Sequence, residues 1–395
     1  MGSTLLTHLT ENMSWLSMAI HDNMDKWIID CGGVGRLSKE ASTEILFLGD
    51  VALAGQVGDV ILQHGRQFLF NELPADFFHV DVVCFNLECC LSERGKPWEP
   101  KPIPFRGLPR FLSVFPKTGC TYVASIANNH FLDYGEDAAI DTLEAIRSYG
   151  MRSIGATGEA VGGQHIILKT SAGNIGLIGF APSVHPLPNT SIVNLPSGER
   201  VSDMVSRVNS LKLQSDVVVA LLHQGVENTH LVDRHSRDLS HSLVDAGADC
   251  IVCHHPHVIQ GIEAYKGAQI FYSIGNFVID LNSQRRASAR KSLALRLVLH
   301  EKRLHKIIVD PYIIMKSLQP RPATAEEKRK IRMETEALSS RFDSKLKLNV
   351  DYLTCQGIKI GGQVSSLCEM IRQKGVSTTA KYYYERIMDR AKHRD

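Results

Sequence analysis

From residue 44 onward, short apolar runs alternate with stretches whose apolar positions recur every three or four residues. Glu44–Leu48, Val80–Phe85 and Tyr122–Ala127 have strand length and polar borders, the pattern of buried β-strands. Gly135–Tyr149 places Ala138, Ile140, Leu143 and Ile146 on one face and predicts a helix. After residue 200 the alternation repeats. Val201–Leu213 reads as a helix, Asp216–Leu222 as a strand, Ser236–Ala246 as a helix and Asp249–Cys253 as a strand. Alternation of this kind argues for an α/β domain. Hairpins are expected where two runs flank a short turn, Gln164–Thr170 with Asn174–Phe180 and Val258–Ala264 with Gln269–Ser273. Ser292–His300 and Lys306–Ile314 form a further antiparallel pair, so the sheet system is mixed.

The pattern changes after Gln319. Pro320 and Pro322 interrupt it, and Ala323–Ser340 reads as a charged helix. The chain beyond is basic and includes Lys381–Arg390, with Tyr382, Tyr383 and Tyr384 together. Three parts are expected: an N-terminal extension over 1–43, the α/β domain over 44–319, and a helical C-terminal extension over 320–395. Within the first, residues 4–28 are patterned as a short amphipathic helix.

Composition narrows the function classes. Of 395 residues, 44% are hydrophobic and 22% charged, which excludes a wholly disordered or fibrous chain. A net charge of +2 is too balanced for a nucleic-acid binder. No apolar run is long enough for a transmembrane helix, and the N-terminus lacks a basic region followed by an apolar core. Leu6 also breaks the myristoylation pattern. The cysteines number nine and are scattered; Cys250 and Cys253 form a CIVC run inside an apolar strand, not a zinc doublet. A reducing, cytoplasmic location is expected.

Candidate chemistry gathers at strand ends, where α/β folds present side chains to a crevice. Asp50 follows the first run, Asn86-Leu87-Glu88 the second and Asn128-Asn129-His130 the third. His223 follows the strand at 216–222, and His254-His255-Pro256-His257 follows CIVC. Singly, each is an ordinary turn-former. Together they bring carboxylate, amide and imidazole donors that suit borderline divalent ions such as Mn, Fe or Zn. Six such donors suffice for two ions, which clamp an anionic substrate, with one histidine left over to protonate a leaving group.

As a set, these segments resemble the bacterial capsule-synthesis protein CapA family, poly-γ-glutamate synthesis proteins related to calcineurin-like metallophosphoesterases. The matching stretches are Gly49-Asp50, Asn86-Leu87-Glu88, Ala127–Gly135, His223–Glu227, His254–Glu263 and Tyr272–Phe277. The resemblance implies a four-layer α/β/β/α sandwich with the motif loops on one edge. It implies metal ligation by Asp50, Glu88, Asn129, His223, His255 and His257, and an acid role for His130. His254 is an alternative to either neighbouring histidine. The phosphoesterase relatives carry a ligating His where this chain has Ala52, a departure common in the CapA branch.

Supporting roles remain open. Asp133 either orients His130 or caps the following helix. Glu227 supports His223, Asn276 shapes a turn beneath the site with Gly275, and Arg106 is a candidate for binding an anionic substrate. The expected activity is metal-dependent hydrolysis of a phosphoester or a γ-glutamyl, amide-linked acidic substrate. The alternative is a non-hydrolytic accessory role in making such a polymer or conjugate.

Overall fold

A computed structural model describes residues 27–32, 41–98, 103–156, 163–182, 199–280, 287–362, 364–365 and 372. Most of the expected 4–28 helix and the Lys381–Arg390 stretch lie outside the described residues.

Two large sheets dominate. The first has the order β1 (Trp27–Asp30), β16 (Arg303–Ile314), β15 (Lys291–His300), β2 (Ser42–Val51), β3 (Val82–Leu87), β6 (Thr121–Ser125) and β7 (Arg152–Ile154). Two short strands join it: β14 (Asn276–Val278) pairs with β2, and β17 (Pro320–Pro322) with β16. The second sheet runs β12 (Ile262–Tyr265), β13 (Ala268–Phe271), β11 (Cys250–His254), β10 (Val217–His223), β9 (Gly173–Phe180) and β8 (His165–Thr170). A small parallel pair, β4 (Cys90–Leu91) with β5 (Arg106–Gly107), sits beside them.

The helices are α1 (Gln56–His64), α2 (Glu136–Ser148), α3 (Val201–Lys212), α4 (Arg234–Asp245) and α5 (Ala325–Ser339). Residues 345–362 are also helical. Helix α5 starts from a capping box in which Thr324 and Glu327 satisfy each other's backbone N–H groups.

Alternation along the strands produces the layers. In β2, Ile45 and Phe47 point into an apolar layer shared with Leu177, Val219 and Val252 of the second sheet. Their neighbours Leu46 and Leu48 point the other way, into a layer with Val57 of α1 and Leu143 and Ile146 of α2. On the far face of the second sheet, Ile178, Val218 and Ile251 meet Met204 and Val208 of α3 and Leu239 and Leu243 of α4. Three apolar layers separate four layers of structure, helix, sheet, sheet and helix. The fold is the α/β/β/α sandwich.

The direction of the strands positions the site. β2, β3 and β6 are adjacent and parallel, and so are β10 and β11, so each group ends at one edge. The hairpins form as expected. β8 pairs with β9, β12 turns into β13 through Lys266 and Gly267, and β15 turns into β16 through Glu301 and Lys302. Both residues of each of the last two turns have positive φ, as tight hairpins require.

Candidate metal centre

The first sheet contributes Asp50, Glu88 and Asn129 from the ends of β2, β3 and β6. Asp50 and Glu88 are fully buried. Gly49 makes the approach to β14 possible: a Cβ there would lie 2.1 Å from the Gly275 carbonyl oxygen. The second sheet contributes His223 and His254, paired in register at the ends of β10 and β11, and then His255 and His257.

These groups converge. Ligand atoms of Glu88, His255 and His257 all lie within 4.8 Å of one another. Glu88 Oε1 is 3.7 Å from His223 Nε2 and 3.6 Å from His257 Nε2. Asp50 Oδ2 is 3.3 Å from His257 Nδ1, and Asn129 Oδ1 is 2.7 Å from His223 Nε2. All six sequence-derived donors therefore meet around one buried pocket of charge. His255 and His257 have φ of 98° and 59°, a left-handed backbone that side-chain-bearing residues seldom adopt. Strain of this kind persists where surrounding structure imposes it, and it clusters at functional sites.

The electrostatics follow from the burial of two carboxylates. Burial pushes the Asp50 carboxyl up, but the hydrogen bond to His257 and the nearby imidazoles outweigh it and hold the group below its ordinary value. Burial pushes His257 down, yet Glu88 and Asp50 carry it up to about 10. His223 falls well below its ordinary value, first through burial and then through the surrounding histidines. That shift favours the neutral imidazole at pH 7. The pair of carboxylates draws positive charge into the pocket, and the donors are those preferred by borderline divalent ions. The adjacent thiol does not compete: burial pushes Cys89 well above its ordinary value and keeps it protonated.

The other candidate residues occupy different positions. His254 turns toward the backbone, its Nε2 lying 3.2 Å from the Leu48 carbonyl oxygen, which ties β11 to β2. Asn276 Oδ1 is 2.9 Å from His257 Nδ1, and its amide donates to the carbonyls of His257 and Ala289. Glu227 is exposed and acts through charge, favouring the protonated form of His257. His130 lies near enough to His223 to disfavour the charged form of that ring. Its Nδ1 lies 2.7 Å from Asp133 Oδ2, and its ring stacks on Phe105 with centroids 4.2 Å apart. The same Asp133 oxygen accepts from the Phe105 backbone N–H at 2.7 Å. Helix α2 is capped at Gly135 without a side-chain hydrogen bond. Arg106 is exposed, with its guanidinium 4.2 Å from the Tyr134 ring centroid.

Two residues of the strand-end motifs carry contacts that the sequence assigned to neither. Asn86 donates to Asp50 Oδ1 at 2.8 Å and reaches His223 Nδ1 at 3.3 Å, bridging the sheets. Asn128 donates to Asn86 Oδ1 and the Leu87 carbonyl and accepts from the His130 N–H. Both are buried, and both belong to the strand-end motifs of the sequence.

Layers and donors together define an α/β/β/α protein with a candidate metal centre where the strand ends of two sheets meet. The chain belongs to the bacterial capsule synthesis protein family PGA_cap, whose profile it matches over residues 44–281. It is 26% identical over 321 residues to the capsule biosynthesis protein CapA of Bacillus anthracis, covering 77% of each chain. To the PGA biosynthesis protein CapA of Bacillus subtilis it is 31% identical over 241 residues, covering 59% of this chain and 62% of that one. Among solved structures it is similar to a phosphatase from Mycoplasma pneumoniae at 15% identity and a TM-score of 0.42, over 68% of this chain and 92% of that one. A hypothetical protein from Thermus thermophilus matches at 15% identity and a TM-score of 0.43, over 68% and 99%. Among the described residues, no helix is long and apolar enough to cross a membrane.

Proposed function

We propose that this chain is a metal-dependent hydrolase acting in the chemistry of a poly-γ-glutamate-type polymer, on a phosphoester or a γ-glutamyl amide. The observation that carries the reading is the meeting of Glu88, His255 and His257 within 4.8 Å, beside buried Asp50 and close to an Asp133–His130 pair. Asp50, Glu88, Asn129, His223, His255 and His257 would hold two divalent ions, Mn, Fe or Zn. Bound divalent ions polarise a phosphoryl or acyl oxygen and activate water. The chain's own residues supply the rest. Asn86 fixes Asp50 against His223, Asn276 fixes His257, and Phe105 and Asp133 hold the His130 ring so that Nε2 is the atom positioned for proton transfer. Exposed Arg106, next in sequence to the Phe105 that stacks on His130, suits the negative charge of a polyglutamate or phosphate.

The non-hydrolytic accessory reading draws on Ala52, which is buried and apolar where the phosphoesterase relatives carry a ligand. One experiment separates the two. Wild type, His130→Ala and a His255→Ala, His257→Ala double variant are assayed for bound metal and for turnover of two phosphodiesters of unequal leaving-group pKa and a γ-glutamyl amide. The hydrolase reading expects metal in wild type and in His130→Ala, and none in the double variant. It also expects His130→Ala to lose roughly 100- to 10,000-fold on the poorer leaving group and less on the better one. Metal without turnover on any substrate favours the accessory role. Equal metal in wild type and the double variant removes the site.

A further inference from the structure

The helix at 345–362 lies against the domain by one face only. Leu348, Asp351 and Cys355 are buried. Asp351 pairs with Arg341, Cys355 Sγ donates to the Leu231 carbonyl at 3.6 Å, and Tyr352 lies under the Arg234 guanidinium at 4.6 Å. The opposite face is apolar and open. Leu346, Val350, Leu353, Ile360 and Val364 are between 51% and 76% exposed.

Their spacing is a heptad. Leu346, Leu353 and Ile360 fall at one core position (d), and Val350 and Val364 at the other (a), with Gly357 between. In the sequence the same spacing continues to Leu367 and Ile371. β-Branched residues at a with mostly leucine at d favour two parallel strands. Lys347, the first e position, is charged, but the e and g positions from Asn349 through Thr354, Gln356 and Gly361 to Gln363 are not, so along that stretch two identical copies meet without like-charge repulsion. The domain is attached at Leu348 and Cys355, the f positions opposite the seam, so a paired helix carries its two domains on its outer sides. Gly357, Gly361 and Gly362 have no neighbouring atoms within 4 Å where a Cβ would project. Each glycine disfavours the helix by about 1 kcal/mol, a cost that a partner on the open face offsets.

We propose that this face pairs with the same face of a second copy as a parallel two-stranded coiled coil, making the protein a dimer through its C-terminal helix. The test is sedimentation velocity of the full chain at micromolar concentration, with thermal melts and metal content as checks on folding. Wild type is expected to sediment as a dimer. Leu353→Glu with Val364→Glu should weaken it by about 100-fold or more, while Gly357→Leu should tighten it. Ile360→Cys should give a reductant-sensitive dimer under mild oxidation, because d positions face their own copies only in the parallel arrangement. A monomeric wild type overturns the proposal, and so does a dimer indifferent to both seam variants. A dimer without the Ile360→Cys cross-link overturns the parallel pairing. Flotation of a monomer with anionic lipid vesicles overturns it too and assigns the face to a membrane surface.

Discussion

Replacing Asp133 separates what holds the fold from what positions the proposed acid. Its side chain is almost completely buried, and one oxygen, Oδ2, serves both the Phe105 N–H and His130 Nδ1, each at 2.7 Å. Asp133→Ala strands both donors. A buried donor left without an acceptor costs about 1–3 kcal/mol, so the variant should lose about 2–6 kcal/mol of stability. Asp133→Asn places an amide oxygen where Oδ2 was, keeps both hydrogen bonds to it and loses only the charge, at about 1–2 kcal/mol. Turnover should separate the variants from each other less than from wild type. A partner that orients a reacting group is typically worth about 10- to 100-fold, and the asparagine variant should lose that much while keeping its metal. Urea melts at neutral pH, elemental analysis and turnover on the poorer leaving group provide the three readings. An alanine variant as stable as wild type would show that the shared oxygen is not a structural hinge. An asparagine variant with undiminished turnover would remove Asp133 from the chemistry.

Three other outcomes follow from the fold. Burial pushes the Glu263 carboxyl up, but hydrogen bonds from His241, Arg237 and Tyr272 outweigh it and hold the group below its ordinary value. A depressed carboxylate contributes stability that is present above its unfolded pKa and lost as pH falls through the folded one. Glu263→Gln should therefore cost about 2–4 kcal/mol at pH 7, and the gap to wild type should close below about pH 4; urea melts at the two pH values check both. Gly49→Ala should destabilise by about 2–4 kcal/mol in the same assay, since the added carbon meets the Gly275 carbonyl at 2.1 Å. Cys84, Cys89, Cys90, Cys250 and Cys253 are buried free thiols, so alkylation without reductant should label all five only after denaturation, as read by mass spectrometry.

The strands that carry the donors were readable because they are buried on both faces. β3 and β10 are continuous apolar runs for that reason, and each ends abruptly at a polar residue. Helix α2 was readable from its single apolar face. Helix α1 was not, because Gln56–His64 offers Val57 and then a Val60-Ile61-Leu62 run around a glycine, with Leu62 left exposed. β14 is three residues long and exists through its pairing with β2, which no local pattern announces. At the site, charged and imidazole side chains at strand ends stood out against their surroundings. Asn86 and Asn128 did not, since a buried asparagine has many uses and its partners lie on other strands. Nor did strand order show that the five donor-bearing strands divide between two sheets. That division depends on which apolar faces pack together, a property of the folded chain.

The division between sheets has a mechanical consequence. Asp50 and Glu88 belong to one sheet, and His223 and His257 to the other, yet they meet within 3.3 to 3.7 Å. An ion gripped by both sets would act as a rivet through the seam of the sandwich. Because it binds the closed arrangement and not the parted one, each tenfold rise in free ion above its dissociation constant would add about 1.4 kcal/mol against separation of the sheets. Amide exchange in β3 and β10 would then slow together on metal addition, although the two strands share no hydrogen bond within a sheet.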